Sequence, residues 1–327
     1  MPKRSEVVFL GGVVFALAIL FLPTLSHAQF PDKPITIIVP WAPGGSTDLA
    51  ARTLAGVAGQ QHLPVAVAVL NRPGAGGSIG TNETVKSKPD GYTLGLTTGS
   101  CLVIEPHLKK LPYTSDDYIP IMQVFHEESI IAAYPDRPYN NMKELVEYAR
   151  THPKEVKTGI HAPLTTGHMA FLQLEAEQKI ELKIVPMGGG GPMKTGLLGG
   201  HIDIAPLGIA EALPYVKSKQ MKILGLTGSK GHREVPPNLL CEKQGYPMIA
   251  PVVGVLIAPK GTPADRLKIL HDGFKKAYDD PTFKKVADGV NLEIEYLDGP
   301  AAREQLNRYF KHYGDLIKRI GLDKEKK

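Results

Sequence analysis

The sequence predicts an α/β chain built as two domains, and three observations carry that prediction. Short β-branched and aliphatic runs alternate with segments of helical period, the pattern of strands and helices in layers. Removing 28 of the 327 residues as a leader leaves 299, enough for two hydrophobic cores. Thirty-four glycines and twenty-eight prolines punctuate the runs, which suits many short turns. Charge and composition shift sharply nowhere along the chain, so they do not say where the domains divide.

Taken in order, the chain opens with Lys3 and Arg4, an apolar stretch from Val7 to Leu22, Pro23, and then Ser26-His27-Ala28 before Gln29. That order is a secretory signal peptide cleaved after Ala28; the alternative is a membrane anchor, because the apolar stretch exceeds the usual 7 to 15 or so residues. No cysteine follows it, which argues against a lipid-anchored form. No later segment reaches the roughly 18 consecutive apolar residues of a membrane span, so a soluble exported protein is expected. Next come a strand at 35–40 and a helix at 48–58, a strand at 65–70 and a helix at 80–88, and a strand at 92–97 before a less regular stretch. This alternation predicts parallel layers. Further on, 129–134 reads as a strand and 141–152 as a helix, with Met142, Leu145, Val146 and Ala149 at helical spacing. Strands at 156–160, 182–186 and 202–205, helices at 167–179 and 192–198, and a segment at 221–227 follow. A buried strand at 252–258 and two helices, 264–278 and 301–320, finish the chain.

Losing Lys3, Arg4 and Glu6 with the leader lowers the formal charge from +5 to +4. The basic residues are not gathered, and Lys324-Glu325-Lys326-Lys327 reads as a solvated tail. Nucleic acid is therefore not an expected partner. A weakly positive surface still favours anions. Cys101 and Cys241 are bound for an oxidising compartment. A bond between them would add about 4 to 5 kcal/mol in the chain-entropy model, but spacing gives no distance, and both states stay open.

The first strand runs into Trp41-Ala42-Pro43-Gly44-Gly45-Ser46-Thr47-Asp48 and then a helix. Glycines let a ligand approach the backbone, and the unpaired N–H groups of the first turn, backed by the helix dipole, suit a carboxylate as well as a phosphate. The bland alternative is that Ser46 or Thr47 only caps the helix and Trp41 is core.

The segments FPDKPITIIVPWAPGGSTDLAARTLA and VLNRPGAGGSIGTNETVKSKPDGYTL, followed by VPMGGGGPMKTGLLGGHID, resemble consecutive hallmarks of the Bug family, the substrate-binding subunits of tripartite tricarboxylate transporters. The resemblance runs through most of the mature chain, and VLIAPKGTP is consistent with it. It implies a type II periplasmic binding protein: two α/β domains, 29–127 plus 252–327 and 128–251, joined by a hinge of two crossings. It implies a small organic carboxylate as ligand, separate membrane transporter subunits as partners, a monomer, and no cofactor, metal or catalytic residue. Carried over residue by residue, it points to Trp41, Ala42, Gly45, Ser46, Thr47 and Asp48, with Thr98, Gly99 and Ser100 also facing the cleft. On the second domain it points to the 162–168 segment, with Ala162, Leu164, Thr165 and His168, and to Met187, Gly188 and Asp203. The chain departs from the family where a Gly-x-Gly-Ser/Thr-x-x-His pattern is replaced by Ala162-Pro163-Leu164-Thr165-Thr166-Gly167-His168. It departs again where a Tyr and a basic residue give way to Met187 and Gly188. Specificity is accordingly expected around Leu164, Thr165, Met187 and Gly188.

Other readings are weaker on their own terms. Gly76-Gly77-Ser78-Ile79-Gly80 matches the G-x-S-x-G elbow of a serine hydrolase, but the elbow needs a strand immediately before the serine, and Arg72-Pro73-Gly74-Ala75 intervene. Gly74, Gly76 and Gly80 do not have dinucleotide spacing, and no P-loop Lys-Ser/Thr follows. His161 and His168 lack i,i+4 spacing or a cysteine pair for a metal; His168 is more simply a first-turn residue that hydrogen-bonds locally. Asp203 could equally be a turn or cap residue. A ligand-loaded protein that reports to a membrane sensor is the alternative to one that delivers.

Overall fold

The computed structural model describes residues 30–228 and 231–323. The expected leader at 1–28 and the basic tail at 324–327 lie outside them. The described residues from Lys33 onward belong to one compact unit, to which everything below refers.

In chain order this unit runs β1 (Ile35–Val39), α1 (Ser46–Val57), β2 (Val67–Asn71), α2 (Ser78–Lys86), β3 (Thr93–Thr98), α3 (Gly99–Val103), α4 (Glu105–Leu108) and β4 (Tyr118–Glu127). Then come β5 (Ser129–Ala133), α5 (Met142–Thr151), β6 (Lys157–Ile160), α6 (Thr166–Gln178), β7 (Lys183–Pro186), α7 (Gly190–Leu198), β8 (Ile204–Gly208), α8 (Ile209–Lys217) and β9 (Lys222–Leu226). The chain ends with β10 (Val252–Pro259), α9 (Ala264–Asp279), α10 (Pro281–Gly289), β11 (Ile294–Asp298) and α11 (Gly299–Arg319).

These strands make two sheets, ordered β11-β4-β10-β3-β1-β2 and β7-β6-β8-β5-β9. β1 pairs in parallel with β2 and β3, and β6 with β7 and β8, as helix crossovers require. The expectation of parallel layers fails elsewhere. β10 is antiparallel to β3 and β4, and β5 is antiparallel to β8 and β9. The cause is the path of the chain: one residue, Glu128, separates β4 from β5, so the backbone passes straight from one sheet into the other. It returns between Leu226 and Val252.

β5 shows why such strands read as continuous apolar runs. Ile131 and Ala133 enter a core with Leu145, Val146 and Phe171, while Ile130 and Ala132 enter another with Met193, Leu197 and Leu213. Both faces are covered by helices, so no polar face remains to give alternation. β4 is buried in the same way along almost its whole length, which hid it in the stretch that reads as irregular. Asn141 caps α5 by accepting from the Glu144 N–H at 2.9 Å.

The two sheets share a hydrophobic seam. Met169, from α6 over the second sheet, is fully buried among Val255 and Ile257 of β10 and Leu306 and Tyr313 of α11. Cys101 and Cys241 are free and buried. Burial pushes their thiols up to about 11 and about 12. Among the described residues no helix is long and apolar enough to cross a membrane.

Candidate functional site

A small cavity of about 40 Å³ opens where the loops after β1 and β3 meet those after β6, β7 and β8. Trp41, Gly45, Ser46, Thr47, Asp48, Thr98 and Ser100 line it from the first sheet; His161, Thr165, Thr166, Gly190 and Glu211 line it from the second, with Pro251 and Val252 from the returning chain.

The first-sheet wall is rigid because its polar groups hold one another. The Trp41 indole N–H donates to Thr98 Oγ1 at 3.1 Å, and Thr98 Oγ1 lies 3.1 Å from Ser100 Oγ. Asp48 spends its carboxylate inside the loop: Oδ2 accepts from Gly44 N–H and Arg52 Nε, each at 3.0 Å, and Oδ1 accepts from Asn71 Nδ2 at 2.9 Å. Burial raises its pKa, but these hydrogen bonds win and hold it below the ordinary carboxylate range. Asp48 therefore braces the loop that carries Gly45 to Thr47. Asn71, which also donates to the Trp41 carbonyl at 3.0 Å, is a second brace that sequence reasoning missed.

Besides the five-residue α3, four helices of nine residues or more start at this cavity among the described residues. α1 begins with Ser46, α6 with Thr166 after Thr165, α7 with Gly190, and α8 brings Glu211 in its first turn. Each start presents N–H groups with no acceptor in their own helix and the positive end of a dipole. The protein already places a carboxylate there. Glu211 Oε1 accepts from the Ser46 N–H at 2.6 Å and from Ser46 Oγ at 3.2 Å. Gly190 makes this possible, because a Cβ there would run into both carboxylate oxygens of Glu211. A second carboxylate, Glu127, takes the Ala210 N–H at 3.3 Å. One oxygen of each glutamate, Glu211 Oε2 and Glu127 Oε1, is buried with no hydrogen-bond partner. Burial pushes Glu127 up to about 8 and raises Glu211 as well. Across the cavity the His161 ring meets Trp41 edge-on at 6.0 Å, and burial lowers its pKa to about 4, so the ring is neutral at pH 7.

Not every residue singled out from sequence reaches the cavity. Gly99 joins the two liners Thr98 and Ser100 at the start of α3. Ala42 packs against the Gly189 turn. Ala162 and Leu164 shape the approach to α6: Ala162 O accepts from Thr165 Oγ1 at 2.9 Å, and Leu164, at a φ of +64°, donates its N–H to His168 Nδ1 at 3.0 Å. His168 is thus the local hydrogen-bonder, not a liner. Met187 packs on the core under α7 and lines a separate groove with Pro43 and His201. Gly188 makes the turn before α7 with a φ of +86°. Of the four positions expected to set specificity, only Thr165 faces the cavity.

Asp203 is also elsewhere. It pairs with Arg137 at 2.7 Å and accepts from the Lys157 N–H at 2.7 Å, tying β8 to β6. Asp203→Ala is expected to cost about 1 to 3 kcal/mol in a denaturant melt, chiefly by orphaning that N–H, and to leave ligand affinity unchanged. A lost ligand affinity in the folded variant would return Asp203 to the site. Ser78, the elbow serine of the hydrolase reading, follows a 3₁₀ turn, starts α2, and donates to the Ala75 carbonyl at 2.7 Å.

Thr166 lies inside the 162–168 segment named from sequence; the residues that sequence reasoning missed are Glu211, Gly190, His161, Pro251 and Val252 of the cavity lining, with Glu127 beside them. The acidic residue in the first turn of 209–217 was the available signal for Glu211.

Comparison with known proteins agrees with this architecture. The model of the family described as "Tripartite tricarboxylate transporter family receptor" matches residues 50–322. BugT of Bordetella pertussis is 30% identical over 270 residues, covering 81% of this chain and 82% of its own. A Cupriavidus necator protein named "UPF0065 protein in gbd 5'region" is 28% identical, covering 98% of this chain and 99% of its own. The solved periplasmic binding protein BugD is 27% identical, with a TM-score of 0.81 over 89% of this chain and 99% of that one. The chain belongs to the tripartite tricarboxylate transporter receptor family and has the α/β fold of the Bug periplasmic binding proteins.

Proposed function

We propose that this protein is exported to the periplasm, captures a small organic carboxylate between its two sheets, and delivers it to separate membrane subunits of a tripartite transporter. The convergence of four helix starts on one cavity carries this reading. Backbone N–H groups and dipoles aimed at one point favour an anionic group there, and the chain's own Glu211 carboxylate on the Ser46 N–H is an internal sample of that chemistry. The ligand's carboxylate takes the Ser46 N–H and the hydroxyls of Ser46 and Thr47, and Trp41 covers its apolar part.

Residues 29–127 with 252–327 act as one domain and 128–251 as the other. The hinge is Glu128 and the return at Pro251, and opening breaks the Ser46–Glu211 contact to admit the ligand. Binding then shifts the open and closed populations. The closed, loaded form is what the membrane subunits recognise. Affinity near micromolar corresponds to about −8 kcal/mol, within reach of a few charge-assisted hydrogen bonds and partial desolvation.

The test is a thermal-shift screen of the mature protein against mono-, di- and tricarboxylates, aromatic acids and amino acids. A true ligand at a hundred times its Kd adds about 2.7 kcal/mol to folding stability and raises Tm accordingly. Stabilisation by a neutral solute and by no acid would overturn the carboxylate reading.

A further inference from the structure

We infer that the captured carboxylate also carries an amino group, and that Glu211 is the residue that receives it. This deepens the carboxylate reading above and rests on it. A ligand carboxylate that takes the Ser46 N–H must displace Glu211 Oε1, which holds that N–H now. The displaced glutamate stays buried, at 4% exposure, and its other oxygen already has no donor. An uncompensated carboxylate in such a place is costly, and the cost falls only if the incoming molecule brings donors and positive charge with it.

The cavity offers no substitute for that charge. Among the described residues no lysine or arginine lines it. Lys194, the cation nearest in influence, stands over the Tyr215 ring at 5.5 Å and lines the separate groove beside Met187. Arg52 is committed to Asp48 and Asn71. Glu127, buried on the same side, brings no positive charge either. A ligand with two carboxylates and no amine would set its second negative charge against the Glu211 carboxylate. One with an ammonium satisfies both ends: the carboxylate on the α1 start, the ammonium N–H groups on Glu211 Oε2. Burial raises the pKa of both glutamates, and for Glu211 the charge of Lys194 offsets only part of that rise.

The experiment uses pairs of probes that differ only by the amino group: L-alanine with propionate, L-glutamate with glutarate, and 4-aminobutyrate with butyrate. Each is titrated calorimetrically into the wild-type mature protein and into Glu211→Gln. The amino member of at least one pair is expected to bind wild type about tenfold to a hundredfold more tightly than its partner, the worth of one charge-assisted hydrogen bond. Glu211→Gln, which keeps an oxygen for the Ser46 N–H but loses the charge, should erase that preference. An amine-free acid that binds wild type as tightly as its amino partner overturns the inference and leaves the carboxylate reading standing. So does a Glu211→Gln protein that keeps the preference. The wild-type comparison decides the matter even if the variant fails to fold. Silence from both members of every pair, with a response to another amine-free acid in the thermal-shift screen, overturns the inference alone; silence from every acid removes the carboxylate reading as well.

Discussion

Gly45→Val is expected to weaken carboxylate binding by about a hundredfold or more while the protein still folds. Gly45 precedes α1 with φ −90° and ψ 168°, a conformation open to any residue, so the glycine is not there for its backbone freedom. It is there for space. An added Cβ would sit 3.1 Å from Glu211 Oε1 and 3.6 Å from the Cα and N of Gly190. A β-branched side chain puts two further methyl groups between the start of α1 and that of α7, where the ligand's carboxylate is to dock and the domains are to close. The contacts are with a movable side-chain end and with the opposite domain, so the open form relieves them. Calorimetric titration should lose its heat, while circular dichroism keeps a native spectrum and a single thermal transition. Gly56→Ala is the control: nothing lies within 4 Å of its Cβ, and removing a helical glycine stabilises by about 0.5 to 1 kcal/mol with no effect on affinity. An unchanged Kd in Gly45→Val would place the ligand elsewhere.

The contrast between Gly45 and Glu211 shows what sequence can carry. The 41–48 loop was legible because its chemistry is local. A strand, two glycines, two hydroxyls and a helical period stand in order, and the braces on Asp48 come from residues within 23 positions. Glu211 meets Ser46 across 165 positions, and no periodicity reports such a meeting. Its helix was also disguised, since α8 has nine residues and Pro214 inside it, which locally reads as a break. β11 escaped notice as a short, half-buried edge strand with mixed side chains. The misplaced expectations have the same origin. Met187, Gly188 and Asp203 follow or precede strands of the second sheet as a ligand-facing residue would, but Asp203 finds Arg137 and Met187 finds the core under α7. Sequence order named loops that meet at one cavity; which side of each loop faces it was decided by tertiary partners.

Glu127→Gln is expected to flatten the pH dependence of stability between about pH 4.5 and 8. Glu127 ends β4 beside the first crossing and is 1% exposed. Burial is the main cause of its rise from the usual 4.5 to about 8, and the charges of Glu211 and Glu293 add to it. The nearby Ser46 hydroxyl and the hydrogen bond from the Ala210 N–H oppose the rise and lose. Because the folded state holds the proton more tightly than the unfolded chain, this residue's contribution is fully present below about pH 4.5. It is lost as pH rises through about 8. Glutamine keeps the neutral shape at every pH. Wild type and variant should therefore match near pH 4.5, and by pH 9 the variant should be more stable by a few kcal/mol, or several degrees in Tm. Ionised Glu127 and Glu211 would also face each other beside Ser46, so alkaline pH should favour the open form of the wild type. Small-angle scattering of the ligand-free protein would read this as a larger radius of gyration at pH 9 than at pH 6, a change that Glu127→Gln should suppress. Parallel melting curves for the two proteins across this range would mean that Glu127 is ionised in the folded state and reaches a cation or water.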